Sequence, residues 1–196
     1  MDLNVVDIQE GRRSLILGDS LVAGQGAKDN NGWAQQFAER INADIVGIRG
    51  ATSGDIIMHL PEKAYEQVFV QIGTNDARYR HAKKATETSL DQYRSNLAAI
   101  VQQFRSLNHD VQFAFMDLLL VDERKTVLYR ADRSYFDKNL QRVRQTLRNF
   151  CDTNKLGFVQ LTDLEKNKED FQDGLHPSQR VHDAVMYSVA SCATSR

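Results

Sequence analysis

Cysteine, proline, net charge and long apolar stretches are all scarce in this sequence of 196 residues. The two cysteines, Cys151 and Cys192, fit neither a disulfide framework nor a metal-ligand spacing, so we expect free thiols on the apolar faces of helices. A formal charge of -1 argues against a nucleic-acid-binding protein. No apolar stretch approaches the ~20 residues that span a bilayer, which excludes stable insertion into a membrane.

The sequence also has few features that would mark a boundary between domains. Pro61 and Pro177 are the only prolines, and no repeat, low-complexity segment or linker interrupts the sequence. We therefore expect a single domain over residues 1–196. Residues 1–7 lack the basic start and apolar core of a secretory signal, which indicates a soluble, cytoplasmic protein as the chain stands. Removal of a signal would instead indicate a periplasmic or secreted protein.

What the sequence does contain is an alternation of short apolar runs with helical stripes. The runs predict strands at Ser14 to Leu17, Asp44 to Ile48, Gln67 to Ile72, Val111 to Met116 and Gly157 to Leu161. Apolar residues at helical spacing predict helices over 90–107, 136–150 and 181–192. This alternation predicts an α/β fold, a three-layer, doubly wound sheet of about five parallel strands.

Ser20 follows the first predicted strand, in Gly18-Asp19-Ser20-Leu21. Parallel sheets place function at the carboxyl ends of their strands, so this hydroxyl is a candidate nucleophile. Gly18 permits a tight turn that directs the Ser20 backbone N–H into the same cleft as its hydroxyl. The alternative interpretation is that Asp19 or Ser20 caps a helix.

Asp173 and His176 lie three residues apart in Asp173-Gly174-Leu175-His176-Pro177. A tight loop at this spacing can set the carboxylate against one imidazole nitrogen and leave the other to take a proton from a serine. The alternative is a surface turn, because Asp-Gly is a common turn pair. His182 is a competing base, but it lies in a predicted helix and has no carboxylate at the same spacing.

Two further segments follow predicted strands and offer hydrogen-bond donors for a developing oxyanion. Asn75, in Gly73-Thr74-Asn75-Asp76, carries a side-chain amide, whereas in isolation the same segment reads as a helix-capping turn. After the second strand, Gly50 offers a backbone N–H, and Gly54 is the alternative donor.

Together these segments resemble the SGNH, or GDSL-type, hydrolase family, whose name records a Ser, Gly, Asn and His in separate blocks. Gly18 to Leu21, Gly73 to Asp76 and Asp173 to His176 match their blocks fully, and Gly32-Trp33 is also usual in such proteins. The second block departs from the family pattern, because Ile45 replaces an asparagine and Ala51 an aspartate.

The resemblance implies a flavodoxin-like SGNH fold and a serine hydrolase that cleaves carboxylic esters, lysophospholipids and thioesters among them. It assigns catalysis to Ser20, Asp173 and His176, and the oxyanion hole to Ser20, Gly50 and Asn75. It implies no metal and no organic cofactor, and a small acyl ester or acylated glycan as the substrate. The sequence does not indicate an oligomeric state.

Three other functions remain open at this point. The same triad serves glycan O-deacetylases and acyltransferases, and no motif here reports the choice of acceptor. A non-catalytic binding module of the same fold is another possibility, and it is the least favoured because every family residue of the site is present. The last alternative is a flavodoxin-like cofactor-binding protein, which a bound flavin would colour yellow.

Two charged segments bear on specificity. The first, Arg78 to Lys84, contains four formal positive charges and no acid, and it favours a solvated start of a helix. The alternative hypothesis is that Arg78 and Arg80 bind substrates that carry an anionic group. The second segment, Leu119 to Arg133, lacks clear periodicity and is either a mobile lid or a loop.

Overall fold

The centre of the structure, a computed structural model that describes residues 11–161, 164 and 167–192, is a parallel sheet. Eight strands are present in these residues: β1 (Ser14–Gly18), β2 (Asp44–Gly47), β3 (Gln67–Gln71), β4 (Tyr79–Arg80), β5 (Ala85–Thr86), β6 (Gln112–Met116), β7 (Arg133–Ser134) and β8 (Gly157–Val159). Five of them form the sheet in the order β2-β1-β3-β6-β8. All five predicted strands are confirmed, and their ends differ from the prediction by one or two residues. Residues 1–7, considered above for a signal, lie outside the described residues.

Helices cover both faces of this sheet, which confirms the predicted three-layer α/β architecture. They are α1 (Trp33–Ile41), α2 (Ser53–Ile57), α3 (Leu90–Leu107), α4 (Glu123–Thr126), α5 (Asp137–Asn154) and α6 (Gln179–Ser191). One face carries α1 packed on α6, and the other carries α3 between α2 and α5. No helix within the described ranges is both long and apolar enough to cross a membrane.

Alternation along the strands explains why both faces are covered. In β1, Leu15 and Leu17 point into the core beneath α3 and α5, whereas Ile16 points into the core beneath α1 and α6. All three side chains are fully buried. Because successive side chains of a strand alternate between faces, an uninterrupted apolar run requires a covering layer on each side.

The helix ends follow from local chemistry. Helix α3 begins after Ser89, whose hydroxyl accepts a hydrogen bond from Gln92 N at 3.2 Å. Asn42 and Lys155 follow the last residues of α1 and α5, and both adopt the left-handed conformation that closes many helices. Both cysteines are free, as expected; Cys151 is buried on α5, and Cys192 is half-buried at the end of α6.

The interpretation of Arg78 to Lys84 as a solvated helix start is wrong. This segment forms β4 and a turn, and β4 pairs antiparallel with β5 and β7 in a small second sheet. The two arginines are neutralised by acids from outside the segment, since Arg78 pairs with Glu87 at 2.9 Å and Arg80 with Asp132 at 2.9 Å, whereas Lys83 and Lys84 are exposed.

The direction of chain connection changes at β1, which lies between β2 and β3 in the main sheet. Gly18, the last residue of β1, is in register with Gly47 on one side and with Gln71 on the other. A Cβ atom at Gly18 would lie 2.1 Å from the Gln71 carbonyl oxygen, so only glycine fits there. The segments after β1, β2 and β3 therefore leave the sheet at one level.

The turn after β1 buries a carboxyl group. Asp19 is 1% exposed, its Oδ1 accepts from Leu21 N at 3.0 Å, and its Oδ2 has no hydrogen-bond partner among the residues described. Burial raises the pKa of Asp19 from 3.8 to about 7, against the opposing effects of the Leu21 hydrogen bond and nearby His176. The folded state therefore retains a proton that the unfolded chain releases in mild acid.

We predict that Asp19→Asn stabilises the protein more at pH 8.5 than at pH 5. A raised carboxyl pKa contributes stability that is complete below the unfolded value of 3.8 and is lost as the pH rises through about 7. The neutral amide of the variant does not ionise, so the variant does not lose stability in this way as the pH rises. The Tm difference between variant and wild type should therefore grow by several degrees from pH 5 to pH 8.5. Thermal unfolding followed by circular dichroism measures it.

The matched control is Asp152→Asn, which removes the same charge from the exposed surface of α5. Its Tm difference from the wild type should stay nearly constant between pH 5 and pH 8.5. An equal and constant difference for both variants would contradict the account of Asp19.

Candidate active site

Ser20 lies in the turn that follows β1, and its side chain is buried at the base of a cleft. Backbone hydrogen bonds from Ala23 N to Asp19 O at 3.0 Å and from Gln25 N to Ser20 O at 2.9 Å hold this turn. No α-helix begins here, because α1 starts only at Trp33, after Gly32. Neither Asp19 nor Ser20 therefore caps an α-helix, and the turn presents the hydroxyl at the carboxyl edge of the sheet.

Asp173 and His176 lie in the loop before α6, where Gly174 adopts a left-handed conformation with φ of 83°. The Oδ1 atom of Asp173 accepts hydrogen bonds from Leu175 N at 2.9 Å and His176 N at 2.8 Å. Its Oδ2 atom lies 2.6 Å from His176 Nδ1. Burial opposes ionisation of Asp173, but the hydrogen bonds from the His176 ring and from the two backbone N–H groups hold its pKa well below the usual range.

The loop carries His176 to Ser20, which lies 156 residues earlier in the chain, and the His176 Nε2 to Ser20 Oγ distance is 3.1 Å. With Asp173 accepting from Nδ1, the network assigns the proton to Nδ1 and leaves Nε2 to accept from the serine hydroxyl. An imidazole held in this way can take the hydroxyl proton while the ionised carboxylate stabilises the resulting positive charge.

Asn75 and Gly50 line the same cleft as Ser20. The Asn75 amide donates to Ala51 O at 3.0 Å, and its Oδ1 accepts from the Tyr135 hydroxyl at 3.0 Å. These two contacts fix the amide with Nδ2 as the donor end. Asn75 does not start a helix, since residues 74–77 form a turn and α3 begins only at Leu90.

The backbone N–H groups of Ser20 and Gly50 donate to no other group in the part of the chain that the structure describes. Gly50 has a φ of 78°, and no described atom lies within 4 Å of the position that a Cβ atom would occupy. Gly54, the alternative donor, lies within α2 and is not among the residues that line the cleft. Two free backbone donors and one oriented amide thus remain next to Ser20.

The cleft has a volume of about 280 Å³, and arginine is the most frequent residue in its lining. Arg78 is one of these arginines, and its guanidinium is also paired with Glu87. Arg80 is not in the lining; its guanidinium lies between Glu87 and Asp132. The structure therefore places only Arg78 of the two predicted substrate-binding arginines at the cleft.

Residues 119–133 form an arm, which contains α4 and a loop that leads into β7. Tyr129 in this arm donates from its hydroxyl to Asp173 Oδ2 at 2.8 Å, the oxygen that also faces His176. The Tyr129 and Tyr135 rings pack edge to face with centroids 5.7 Å apart. The sequence did not single out either tyrosine, because their contacts join segments that are distant in the chain.

His182, the competing base, is a buried structural residue. Its Nδ1 accepts from Trp33 N at 3.3 Å and its Nε2 donates to Gln25 O at 3.1 Å, which ties α6 to the start of α1. Burial lowers the pKa of His182, consistent with a neutral ring whose two nitrogens are both occupied. Among the described residues, no three His, Cys, Asp or Glu side chains gather in a possible metal site.

Comparison with solved structures identifies many proteins of the same fold. A GDSL-like lipase from Bacteroides thetaiotaomicron superposes with a TM-score of 0.72 at 18% identity, covering 93% of this chain and 87% of the other. An acetylxylan esterase from Geobacillus stearothermophilus, solved as a catalytic mutant, gives a TM-score of 0.72 at 16% identity and covers 97% of each chain. A lipase/acylhydrolase from Enterococcus faecalis gives a TM-score of 0.71 at 16% identity, covering 92% of this chain and 94% of the other.

The sequence comparisons match the chain to a family profile but to no individual curated protein. No curated protein sequence matches the chain. The sequence profile of the GDSL-like lipase/acylhydrolase family, in contrast, matches residues 16–184. This range runs from β1 into α6 and includes Ser20, Gly50, Asn75, Asp173 and His176. The protein therefore belongs to the GDSL-like lipase/acylhydrolase family.

Proposed function

We propose that the protein hydrolyses carboxylic esters through a covalent acyl-enzyme on Ser20. One observation carries the proposal: Ser20 Oγ, the His176 ring and the Asp173 carboxylate are hydrogen-bonded in series, at 3.1 Å and 2.6 Å, inside one cleft. Membership of an acylhydrolase family supports the same reaction class.

In the proposed mechanism, Ser20 Oγ attacks the ester carbonyl carbon while His176 Nε2 takes the hydroxyl proton. Asp173, which hydrogen bonding keeps ionised, stabilises the positive charge on the imidazole. The tetrahedral intermediate then breaks its bond to the alcohol, which leaves with the proton from Nε2. A water molecule, deprotonated by the same nitrogen, attacks the acyl-enzyme and releases the acid.

The negative charge on the carbonyl oxygen needs donors that are already in place. The three candidates are the Asn75 amide and the N–H groups of Ser20 and Gly50, neither of which has an acceptor among the described residues. Donors fixed before the reaction stabilise the oxyanion without reorganisation, and loss of one such donor costs about 2.7–4 kcal/mol in other hydrolases. Tyr135 acts as a positioning residue, because its hydroxyl sets the orientation of the amide.

The lining of the cleft favours a short acyl group. Leu175 is its only aliphatic side chain of appreciable size, and the remaining lining is polar or aromatic. A long acyl chain would leave most of its apolar surface in water or against guanidinium groups, at about 25 cal/mol for each Å² not buried. The same observation favours a second candidate reaction, O-deacetylation of a carbohydrate, and the fold neighbour described as an acetylxylan esterase agrees with it.

Replacement of the nucleophile is the primary test. We expect Ser20→Ala to lower kcat on 4-nitrophenyl acetate by at least about a thousandfold, because the variant lacks the hydroxyl that forms the acyl-enzyme in the proposed mechanism. The wild type should also become labelled by a fluorophosphonate at Ser20. The control, Ser95→Ala, changes an exposed serine on α3 and should keep both activities. Equal turnover by wild type and Ser20→Ala would refute the mechanism.

The acyl-chain preference has its own test. We expect kcat/KM for 4-nitrophenyl esters to be highest for acetate or butyrate and to fall steadily towards palmitate. The physical reason is the absence of an apolar channel in the cleft lining. A rate that rises with chain length would contradict the short-acyl proposal and favour a lipase or lysophospholipase.

Tyr129→Phe tests the hydrogen bond from the arm to Asp173. Loss of this donor leaves more negative charge on the oxygen that faces the imidazole, so the protonated ring becomes more stable. We therefore expect the acid limb of the kcat/KM profile to move to higher pH, together with a several-fold lower kcat. Tyr187→Phe, on the exposed surface of α6, should leave the limb in place. A lower Tm with an unshifted limb would mean that Tyr129 acts on stability alone.

A further inference from the structure

Positive charge is concentrated in the cleft although the whole chain is nearly neutral. The sequence holds 25 Lys and Arg against 26 Asp and Glu. The cleft is lined by Arg49, Arg78, Arg130 and Arg133 and by no carboxylate. This local imbalance cannot follow from composition, so the reason must lie in how the surrounding loops direct their side chains.

Arg78 differs from the other three, because it is buried and its Nε and Nη2 atoms both contact Glu87 Oε2. Its charge is therefore already balanced within the protein. Arg49, Arg130 and Arg133 have no carboxylate partner among the described residues and remain available to a ligand.

In the turn Arg130-Ala131-Asp132-Arg133, the two arginines line the cleft and the aspartate does not. Arg133 N donates to Arg130 O at 2.7 Å, which closes the turn, and Ala131 adopts a φ of 28°. The acid of the turn, Asp132, accepts from Arg80 Nε at 2.9 Å and from Ala82 N at 2.6 Å. Since neither of these partners lines the cleft, Asp132 is held away from it, while the two arginines that flank the acid line it.

Arg49 approaches the cleft from the loop after β2, and a neutral group holds it. Its Nη2 donates to Asn30 Oδ1 at 2.6 Å. An amide oxygen restricts the position of the guanidinium without cancelling its charge. Arg130 likewise contacts a neutral group, the Tyr129 ring, with its guanidinium 6.0 Å from the ring centroid.

We propose that Arg49, Arg130 and Arg133 form an anion-binding subsite, and that the natural substrate is an ester carrying a carboxylate or phosphate group. This inference rests on the proposed esterase function. Guanidinium groups bind such oxyanions through two parallel hydrogen bonds, which fix orientation as well as position. A concave site lined by one sign of charge also raises the local concentration of the opposite charge.

The experiment compares three acetyl esters that differ in the charge of the leaving group: 4-acetoxybenzamide, 4-acetoxybenzoate and 4-acetoxyphenyl phosphate. Acetate release gives kcat/KM for each ester. We expect Arg130→Gln/Arg133→Gln to lower the ratio of anionic to neutral kcat/KM by at least about tenfold, because a charged hydrogen-bond partner is lost. The intrinsic reactivities of the esters cancel when the ratios of variant and wild type are compared. Whichever anionic ester loses more identifies carboxylate or phosphate as the preferred group.

The matched control is Arg105→Gln/Arg142→Gln, which removes the same charge from exposed positions on α3 and α5. It should retain the wild-type ratio. Arg49→Gln tests the contribution of the loop after β2 and should lower the ratio without altering the turn. In the wild type, added salt should also reduce the preference for the anionic esters.

The result that would overturn the subsite is a ratio that is the same in the wild type, in Arg130→Gln/Arg133→Gln and in Arg49→Gln. An equal fall in the cleft and control double variants would likewise assign the preference to net charge and overturn the subsite. Failure of the esterase proposal has a different signature: none of the three esters would be hydrolysed in a way that depends on Ser20.

Discussion

The register of the adjacent strands β2, β1 and β3 is the constraint on which the site depends. Gly18 lies level with Gly47 and Gln71, and the Gln71 carbonyl occupies the space that a side chain at Gly18 would need. Because the strands are parallel and in this register, the turns that hold Ser20, Gly50 and Asn75 leave the sheet side by side. A displacement of β1 by one residue would turn every side chain of the strand to the other face and move Ser20 with it.

Periodicity and strand-end motifs were sufficient to predict the sheet and the candidate residues. Uninterrupted runs such as Leu15 to Leu17 are informative because they need burial on both faces, which few architectures other than a covered parallel sheet provide. Ser20, Asn75 and His176 were found because each lies in a short motif near a strand or helix end, where local sequence determines geometry. The structure brings these residues together, and their catalytic roles remain proposals.

The contacts that shape the cleft could not be predicted, because they join segments that are distant in sequence. The sequence gives no sign that Glu87 and Asp132 neutralise Arg78 and Arg80, so a helix was expected where β4 lies. Tyr129 reaches Asp173 across 44 positions and Tyr135 reaches Asn75 across 60. Hydrogen bonds of this kind produce no periodic pattern in the sequence, because they form only when distant segments pack together.

The arm at residues 119–133 joins two properties that many enzymes keep apart. It carries Arg130 and Arg133, which line the cleft, and through Tyr129 it also contacts the Asp173 carboxylate that is hydrogen-bonded to the His176 ring. Replacement of this arm to change the cleft lining would therefore also remove a hydrogen-bond donor to Asp173. Divergent relatives that exchange the arm need either a substitute for the Tyr129 hydroxyl or a carboxylate whose other hydrogen bonds suffice, so changes in substrate range and in reaction rate are expected to be inherited together.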